Sequence, residues 1–128
     1  MVHITDKMKK ILLIEDEMRL HKMFEDVFKQ EGLELISAYD GALGLKAAEE
    51  NYPDLIITDI VLPKKNGFEV LEGIKSNPKL EKIPVIVLTN LEESKDVEKM
   101  LSLGARTYLI KANYSVGDIL KKIKEILK

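Results

Sequence analysis

The chain has 128 residues, a formal net charge of −2 at pH 7 and no cysteine. This length suits one domain with a single core and is too short for two ordinary domains. Without cysteine the chain forms neither a disulfide nor a thiolate metal site. Its 20 basic residues are balanced by 22 acidic ones and are scattered, so the composition does not support nucleic-acid binding.

No apolar run in the sequence approaches the length of a membrane span. Residues 1–10 alternate polar and apolar side chains and lack the apolar core of a signal peptide. We therefore expect a cytoplasmic protein with a short N-terminal tail at 1–10 and one domain over 11–128.

Short β-type runs alternate with segments of helical period along the chain. This alternation is typical of βαβ units, and right-handed crossovers then restrict the topology to a doubly wound parallel sheet with flanking helices. We expect an α/β fold with five strands and five helices. The predicted strands are residues 11–14, 34–38, 55–58, 85–88 and 107–110.

The first two predicted helices each have an apolar face and a recognisable end. Gly32 is a natural stop for the first helix. Asp40 is a typical N-cap for the second, which ends at Tyr52 and Pro53. The residues expected to face the core are Leu20, Met23, Phe24, Val27 and Phe28, followed in the second helix by Ala42, Leu45 and Ala48.

The last three predicted helices follow the same logic. The third starts near Gly67 and ends before Asn77 and Pro78. The fourth spans about 93–103 and is followed by Gly104. Their core-facing residues, with those of the fifth, are Phe68, Leu71, Ile74, Val97, Met100, Leu101, Ile119, Leu120, Ile123, Ile126 and Leu127.

Three acidic residues directly follow predicted strands. Glu15 and Asp16 come after the first strand, and Asp59 comes after the third. If these strands are parallel neighbours, their carboxyl ends meet at the edge where open α/β sheets bind ligands. At about 5 Å and an effective dielectric near 20, each pair of like charges repels by about 3 kcal/mol. The cluster therefore needs a cation or a bound proton to persist.

Two further reactive residues end strands: Thr89 follows the fourth run and Lys111 the fifth. Each residue alone has an ordinary explanation, because Asp16 could cap a helix, Thr89 could satisfy a turn and Lys111 could be solvated. Four of the five predicted strands nevertheless end in such a residue, which favours one shared site over coincidence.

At this point the sequence resembles the receiver domain of two-component response regulators, from Ile11 to the end of the chain. The resemblance implies a flavodoxin-like, chemotaxis-receiver-like sheet in the strand order 2-1-3-4-5. It also implies a signalling switch that is not an enzyme acting on other substrates. The matching elements are the pair Glu15-Asp16, the segment PDLIITDIVLPKKNGFEVL with Asp59, Pro63 and Gly67, then Thr89, and the run Tyr108-Leu109-Ile110-Lys111.

The resemblance makes Asp59 the phosphoacceptor and Mg²⁺ the cofactor. A carboxylate is a competent nucleophile towards phosphorus once a divalent cation and an ammonium neutralise charge on the transferring group. Lys111 and Thr89 would contact phosphoryl oxygens. Glu15 would bind the metal directly or through water. The implied metal-binding set is Glu15, Asp16, Asp59 and the backbone carbonyl of Val61.

The partners follow from the same resemblance. A sensor histidine kinase or a phosphotransfer protein would donate the phosphoryl group, and a downstream protein would receive the signal, with a homodimer possible on phosphorylation. Neither nucleic acid nor a membrane is expected to bind this domain. Thr89 and Tyr108 would form the switch that changes the surface of the fourth helix, fifth strand and fifth helix. The alternative for Tyr108 is an edge-strand tyrosine without such a role.

Three positions depart from the family pattern. Proline usually follows the family lysine, but Ala112 follows Lys111 here, so we expect a trans bond, since a non-proline cis bond costs about 2.5 to 4 kcal/mol. Asn90 stands where a small residue is usual. Glu15 stands where aspartate is commoner, and magnesium binding should survive this change.

Two apolar residues flank the expected route of water to the phosphorylated Asp59. They are Val61, two residues after Asp59, and Leu91, two residues after Thr89. Neither can orient a water molecule, so we expect slow self-dephosphorylation. The two histidines, His3 and His21, are expected to face solvent.

Other functions remain as alternatives. A receiver-like adaptor that acts without phosphorylation is compatible with the departures at Asn90 and Ala112. A magnesium-dependent phosphatase of the haloacid dehalogenase type needs a second acid where Val61 stands, and a flavin-binding domain needs a phosphate loop that does not follow Ile14. No output domain follows within these 128 residues, so both a stand-alone regulator and a piece of a longer protein stay open.

Overall fold

The computed structural model describes residues 8–128, which form one five-stranded parallel sheet with the strand order β2-β1-β3-β4-β5. The predicted fold class and strand order are confirmed. The strands are β1 (Lys9–Ile14), β2 (Leu33–Ala38), β3 (Leu55–Thr58), β4 (Val85–Thr89) and β5 (Thr107–Ile110).

The first strand begins earlier than predicted. Lys9 and Lys10, placed in the tail by sequence, pair with Leu33 and Glu34 of β2. Residues 1–7 of the predicted tail, with His3, lie outside the described residues. The other strand boundaries agree with the prediction to within one residue.

Within residues 8–128, five helices flank the sheet, as predicted, and a 3-10 turn at Lys111–Asn113 follows β5. Alternate residues of each buried strand point to opposite faces, so the core divides into two apolar clusters. One cluster lies beneath α2, α3 and α4, and the other beneath α1 and α5. The helices are α1 (Met18–Glu31), α2 (Gly41–Asn51), α3 (Gly67–Lys75), α4 (Ser94–Ser102) and α5 (Val116–Ile126).

Local chemistry sets the helix ends. Asp40 accepts a hydrogen bond from the backbone N–H of Leu43 at 2.7 Å, which confirms it as the N-cap of α2. Gly32 ends α1 in the left-handed region at φ 69°, as predicted. Two capping boxes were not predicted: Asn66 with Glu69 begins α3, and Ser115 with Asp118 begins α5.

The predicted core-facing residues were wrong at three positions. Met23 and Leu101 are 45% and 47% exposed, and Ala42 is also exposed. In α2 the inward positions belong to Gly41 and Gly44 instead. A Cβ at Gly41 would lie 1.9 Å from the carbonyl oxygen of Lys65, and one at Gly44 would lie 2.5 Å from the Ile14 side chain. Glycine therefore occupies the inner face of α2 where the helix packs most closely. Counting large apolar residues does not identify such a face. Within residues 8–128, no helix has the length and apolar character needed to span a bilayer.

Candidate functional site

The three predicted acids meet at the carboxyl ends of β1 and β3. Ile14 and Thr58 are paired neighbours, so the residues that follow them emerge side by side. Glu15, Asp16 and Asp59 each offer a carboxylate oxygen, and these oxygens lie within 4.8 Å of one another. Glu15 is 2% exposed and Asp59 6% exposed, whereas Asp16 is open to solvent. The arrangement is a half-buried pocket of oxygen ligands that could hold a metal ion.

Lys111 brings the one ammonium group into contact with these acids among the described residues. Its Nζ lies 2.6 Å from Glu15 Oε1 and 2.8 Å from Asp59 Oδ2. Burial alone would lower the pKa of Lys111, but its hydrogen bonds to Asp59 and Glu15 outweigh burial and raise the pKa above its usual value. Burial raises the pKa of Glu15, and the hydrogen bonds from Lys111 and the Glu17 amide partly offset this effect. Three carboxylates and one ammonium leave a formal charge of −2, which a divalent cation would balance.

Backbone N–H groups hold the Asp59 carboxylate in place. Its Oδ1 accepts hydrogen bonds from the backbone N–H groups of Ile60 at 2.6 Å and Val61 at 3.4 Å. The chain then returns so closely that a Cβ at Gly67 would lie 2.3 Å from the Asp59 carbonyl oxygen. The N–H of Gly67 donates to the Ile60 carbonyl at 2.8 Å. The start of α3 is thus in close contact with the backbone of Asp59 and Ile60.

Thr89 and Tyr108 lie beyond the acids and both contact the loop that follows β4. Thr89 is 1% exposed, and its Oγ1 accepts a hydrogen bond from the N–H of Leu91 at 3.4 Å. Tyr108 is half-buried, and its O–H donates to the Leu91 carbonyl at 2.8 Å. Burial, with the charges of Asp96 and Asp59, raises the pKa of Tyr108, so this hydroxyl remains a donor. One residue, Leu91, therefore touches both predicted switch residues.

Comparison with known proteins agrees with this architecture. A family model for the response regulator receiver domain matches residues 11–124. The chain belongs to the response regulator receiver family. The resemblance given by the motifs is therefore confirmed.

Curated relatives of this receiver come from several bacteria. The alkaline phosphatase synthesis transcriptional regulatory protein PhoP of Bacillus subtilis is 34% identical over 120 residues, which are 94% of this chain and 49% of that protein. The chain thus spans about half the length of that relative. The polar-differentiation response regulator DivK of Brucella ovis is 34% identical over 119 residues, which are 93% of this chain and 96% of DivK.

Solved structures give the same fold. The chemotaxis response regulator CheY4 of Vibrio cholerae superposes with a TM-score of 0.86 at 25% identity, covering 94% of this chain and 100% of that one. A CheY-like receiver domain protein from Methanospirillum hungatei gives 0.85 at 30% identity, with 94% of both chains covered.

The departures from the receiver pattern leave the acids and the lysine together. No peptide bond within residues 8–128 is cis, so the Lys111-Ala112 bond is trans. Lys111 nevertheless reaches Glu15 and Asp59. Asn90 is exposed. Val61 is 62% exposed, while the side chain of Leu91 packs against the apolar cluster beneath α2, α3 and α4.

His21 was expected to face solvent, and this expectation was wrong. It is 4% exposed, with Nδ1 2.8 Å from Ser37 Oγ and Nε2 2.6 Å from the Glu15 carbonyl oxygen. Burial lowers the pKa of His21, and the bond to Glu15 partly opposes the change. A signal was present in the sequence, because residues 21, 24 and 28 have helical spacing and the last two are phenylalanines. Because histidine was treated as a surface residue, the predicted inner face of α1 omitted His21 and included the exposed Met23.

Proposed function

We propose that this receiver is a phosphorylation switch that accepts a phosphoryl group on Asp59. The donor is a sensor histidine kinase or a phosphotransfer protein, and the altered face formed by α4, β5 and α5 engages a downstream protein. The observation that carries the proposal is the Asp59 carboxylate itself. Asp59 is 6% exposed, its Oδ2 accepts a hydrogen bond from Lys111, and its carboxylate lies beside those of Glu15 and Asp16.

The proposed chemistry needs little more than this pocket. An Asp59 carboxylate oxygen forms a bond to phosphorus while the bond from phosphorus to the donor breaks, and the leaving group departs with its electron pair. The N–H groups of Ile60 and Val61 hold the nucleophile in place. Lys111 would shift from its present carboxylate partners towards a phosphoryl oxygen, and the Thr89 hydroxyl would donate to another. Each group acts by positioning and by charge, which dominate phosphoryl transfer.

The donor set fits magnesium. Mg²⁺ prefers oxygen ligands and keeps several waters, which suits three carboxylates beside an open face. When bound, it would neutralise negative charge on the oxygens of the transferring group. Asp16 and Asp59 would be carboxylate ligands together with the Val61 backbone carbonyl, and Glu15 would bind directly or through water.

The proposed output passes through Leu91. If Thr89 moves towards a phosphoryl oxygen, its hydrogen bond with the Leu91 N–H changes. The Tyr108 hydroxyl donates to the carbonyl of the same residue, so the change would reach Tyr108. The loop before α4 then has two arrangements, which phosphorylation of Asp59 would bias. Homodimerisation, the absence of nucleic-acid binding by this domain and a cytoplasmic location stay predictions.

The adaptor alternative depended on Ala112 and Asn90. The distances from Lys111 to Glu15 and Asp59 argue against it, because neither departure separates the lysine from the acids. A receiver that never took a phosphoryl group would have no need for this costly cluster of buried charges.

Intact mass spectrometry after incubation with an acyl phosphate donor tests the proposal. The wild type should gain one phosphoryl group with Mg²⁺ and none with a chelator, and Asp59→Asn should gain none. No gain in the wild type under any condition would overturn the proposal and favour the adaptor.

A further inference from the structure

His21 is a buried polar residue that the proposed chemistry does not use. It joins three elements: α1, which carries it, Ser37 on β2, and Glu15 at the end of β1. A carbonyl oxygen can only accept, so Nε2 must carry a hydrogen and donate it to Glu15. In the neutral ring Nδ1 then accepts from the Ser37 hydroxyl. The Tyr39 ring packs against the imidazole, with the two ring centroids 4.4 Å apart.

Glu15 is held at each of its polar atoms. Its N–H donates to the Ala38 carbonyl at 3.0 Å, Oε1 meets Lys111, and Oε2 accepts from the Glu17 amide at 3.0 Å. The carbonyl is the remaining group. In the part of the chain that the structure describes, no backbone N–H donates to it, and the His21 imidazole takes that place. The imidazole therefore fixes the plane of the peptide that joins Glu15 to Asp16.

Asp16 depends on that peptide. Its side chain is exposed, and its carboxylate makes no hydrogen bond or ion pair with any residue from 8 to 128. The backbone alone thus places this carboxylate near those of Glu15 and Asp59. If the His21 bond were lost, the buried Glu15 carbonyl would turn to find another donor and would carry Asp16 with it.

We propose that His21 is a positioning residue for the acidic pocket, acting through the Glu15-Asp16 peptide to hold the Asp16 carboxylate where a divalent cation is bound. The inference rests on the proposed function, since it assigns Asp16 to a Mg²⁺ site. Ser37 orients the imidazole and is the outer member of the same chain of hydrogen bonds. Groups that orient metal ligands in this way commonly change metal affinity by about 10- to 100-fold when they are removed.

Two amide substitutions separate the two hydrogen bonds of the ring. In His21→Gln the terminal amide reaches as far as Nε2 and can still donate to Glu15. In His21→Asn the shorter amide reaches only as far as Nδ1, so the bond to Glu15 is lost. Calorimetric titration with MgCl₂ should give an affinity close to wild type for His21→Gln and one about 10-fold weaker for His21→Asn.

Two further variants keep the test independent of folding. Ser37→Ala removes the hydroxyl that bonds Nδ1 but keeps the imidazole and its bond to Glu15, so its Mg²⁺ affinity should lie between those of the wild type and His21→Asn. Phe28→Leu alters the same buried face of α1 away from the site, so it should lower stability and leave Mg²⁺ affinity unchanged.

The outcomes distinguish the two proposals. Equal Mg²⁺ affinity in wild type, His21→Asn and Ser37→Ala would overturn the positioning role while leaving the phosphorylation switch intact. Loss of affinity in Phe28→Leu to the same degree as in His21→Asn would also overturn it, because affinity would then follow stability alone. A wild type that takes up neither Mg²⁺ nor a phosphoryl group would overturn the proposed function, and this inference with it.

Discussion

Asp59 has two carboxylate oxygens with different partners, the backbone amide of Ile60 and the ammonium of Lys111. The first partner fixes the side chain, and the second balances its charge. Lys111 also neutralises Glu15, so the two buried acids share one cation. Without that sharing, each buried carboxylate would carry a large desolvation cost. The negative charge that Lys111 leaves uncompensated would be balanced by the proposed metal ion.

We predict that two side chains, Val61 and Leu91, set the lifetime of the phosphorylated state. Val61 is 62% exposed and Leu91 is half-buried, and neither can act as an acid, a base or an amide donor to water. The double variant Val61→Asn, Leu91→Glu should shorten the phosphoryl half-life by about 100-fold, the lower end of the range of general acid-base assistance. The decay of the phosphorylated mass after donor removal measures it.

Val61→Asn alone is the matched control that leaves core packing unchanged. Val61 is exposed, whereas Leu91 contacts the apolar cluster and its replacement disturbs that contact. If the double variant decays at the wild-type rate although it remains folded, the water-exclusion explanation fails.

Sequence could predict the strand-end residues of the site but not the residues that hold them. The acids, Thr89 and Lys111 directly follow strands, so the topology alone brings them to one edge. His21 lies in the middle of a helix, and its role depends on the distance from α1 to the Glu15 carbonyl, a tertiary contact. The sharing of Lys111 between two acids likewise depends on coordinates that no local pattern contains.

At the scale of elements, strands were predicted better than helix faces. Continuous apolar runs such as LIIT mark a strand buried on both faces, and β3 has the predicted bounds. Helix faces failed where packing is close: Gly41 and Gly44 turn α2 inwards, and α4 buries Met100 while exposing Leu101. Both failures have the same cause, because hydrophobic counting ranks glycine as neutral and every leucine as a core residue.

The close contact between α3 and the end of β3 gives a prediction about Gly67. Gly67→Ala would place a methyl group only 2.3 Å from the Asp59 carbonyl oxygen. The loop must move, and we expect a loss of about 1 to 3 kcal/mol in the free energy of unfolding, measured by urea denaturation.

Gly117→Ala is the matched control, since it also lies in the first turn of a helix but its Cβ would meet only Ser115 Oγ at 3.7 Å. This variant should be neutral or more stable by up to about 1 kcal/mol, because alanine favours helix. Equal stability of the two variants would contradict the proposed contact between α3 and Asp59.

At the scale of the whole molecule, we expect the acidic pocket to couple metal binding to the free energy of unfolding. Like charges at the ends of β1 and β3 repel in the folded state, and a bound cation relieves that repulsion. Mg²⁺ at about 100 times its dissociation constant should raise the free energy of unfolding by about 2.7 kcal/mol. Urea denaturation with and without MgCl₂ measures the increment.

Asp16→Asn should abolish most of this increment. Its stability without metal should equal or exceed that of the wild type, because Asp16 makes no stabilising bond in the described chain and its charge is repelled by its neighbours. An undiminished Mg²⁺ increment in Asp16→Asn would contradict the assignment of this carboxylate to the metal.

The most direct test of the switch is hydrogen exchange over residues 89–114, comparing the protein with and without a phosphoryl mimic plus Mg²⁺, in wild type and Asp59→Asn. We expect changed protection in the loop after β4, in α4 and around Tyr108 in the wild type, and none in Asp59→Asn. Unchanged exchange over 89–114 in a wild type that has bound the mimic would contradict the coupling of Asp59 to this face.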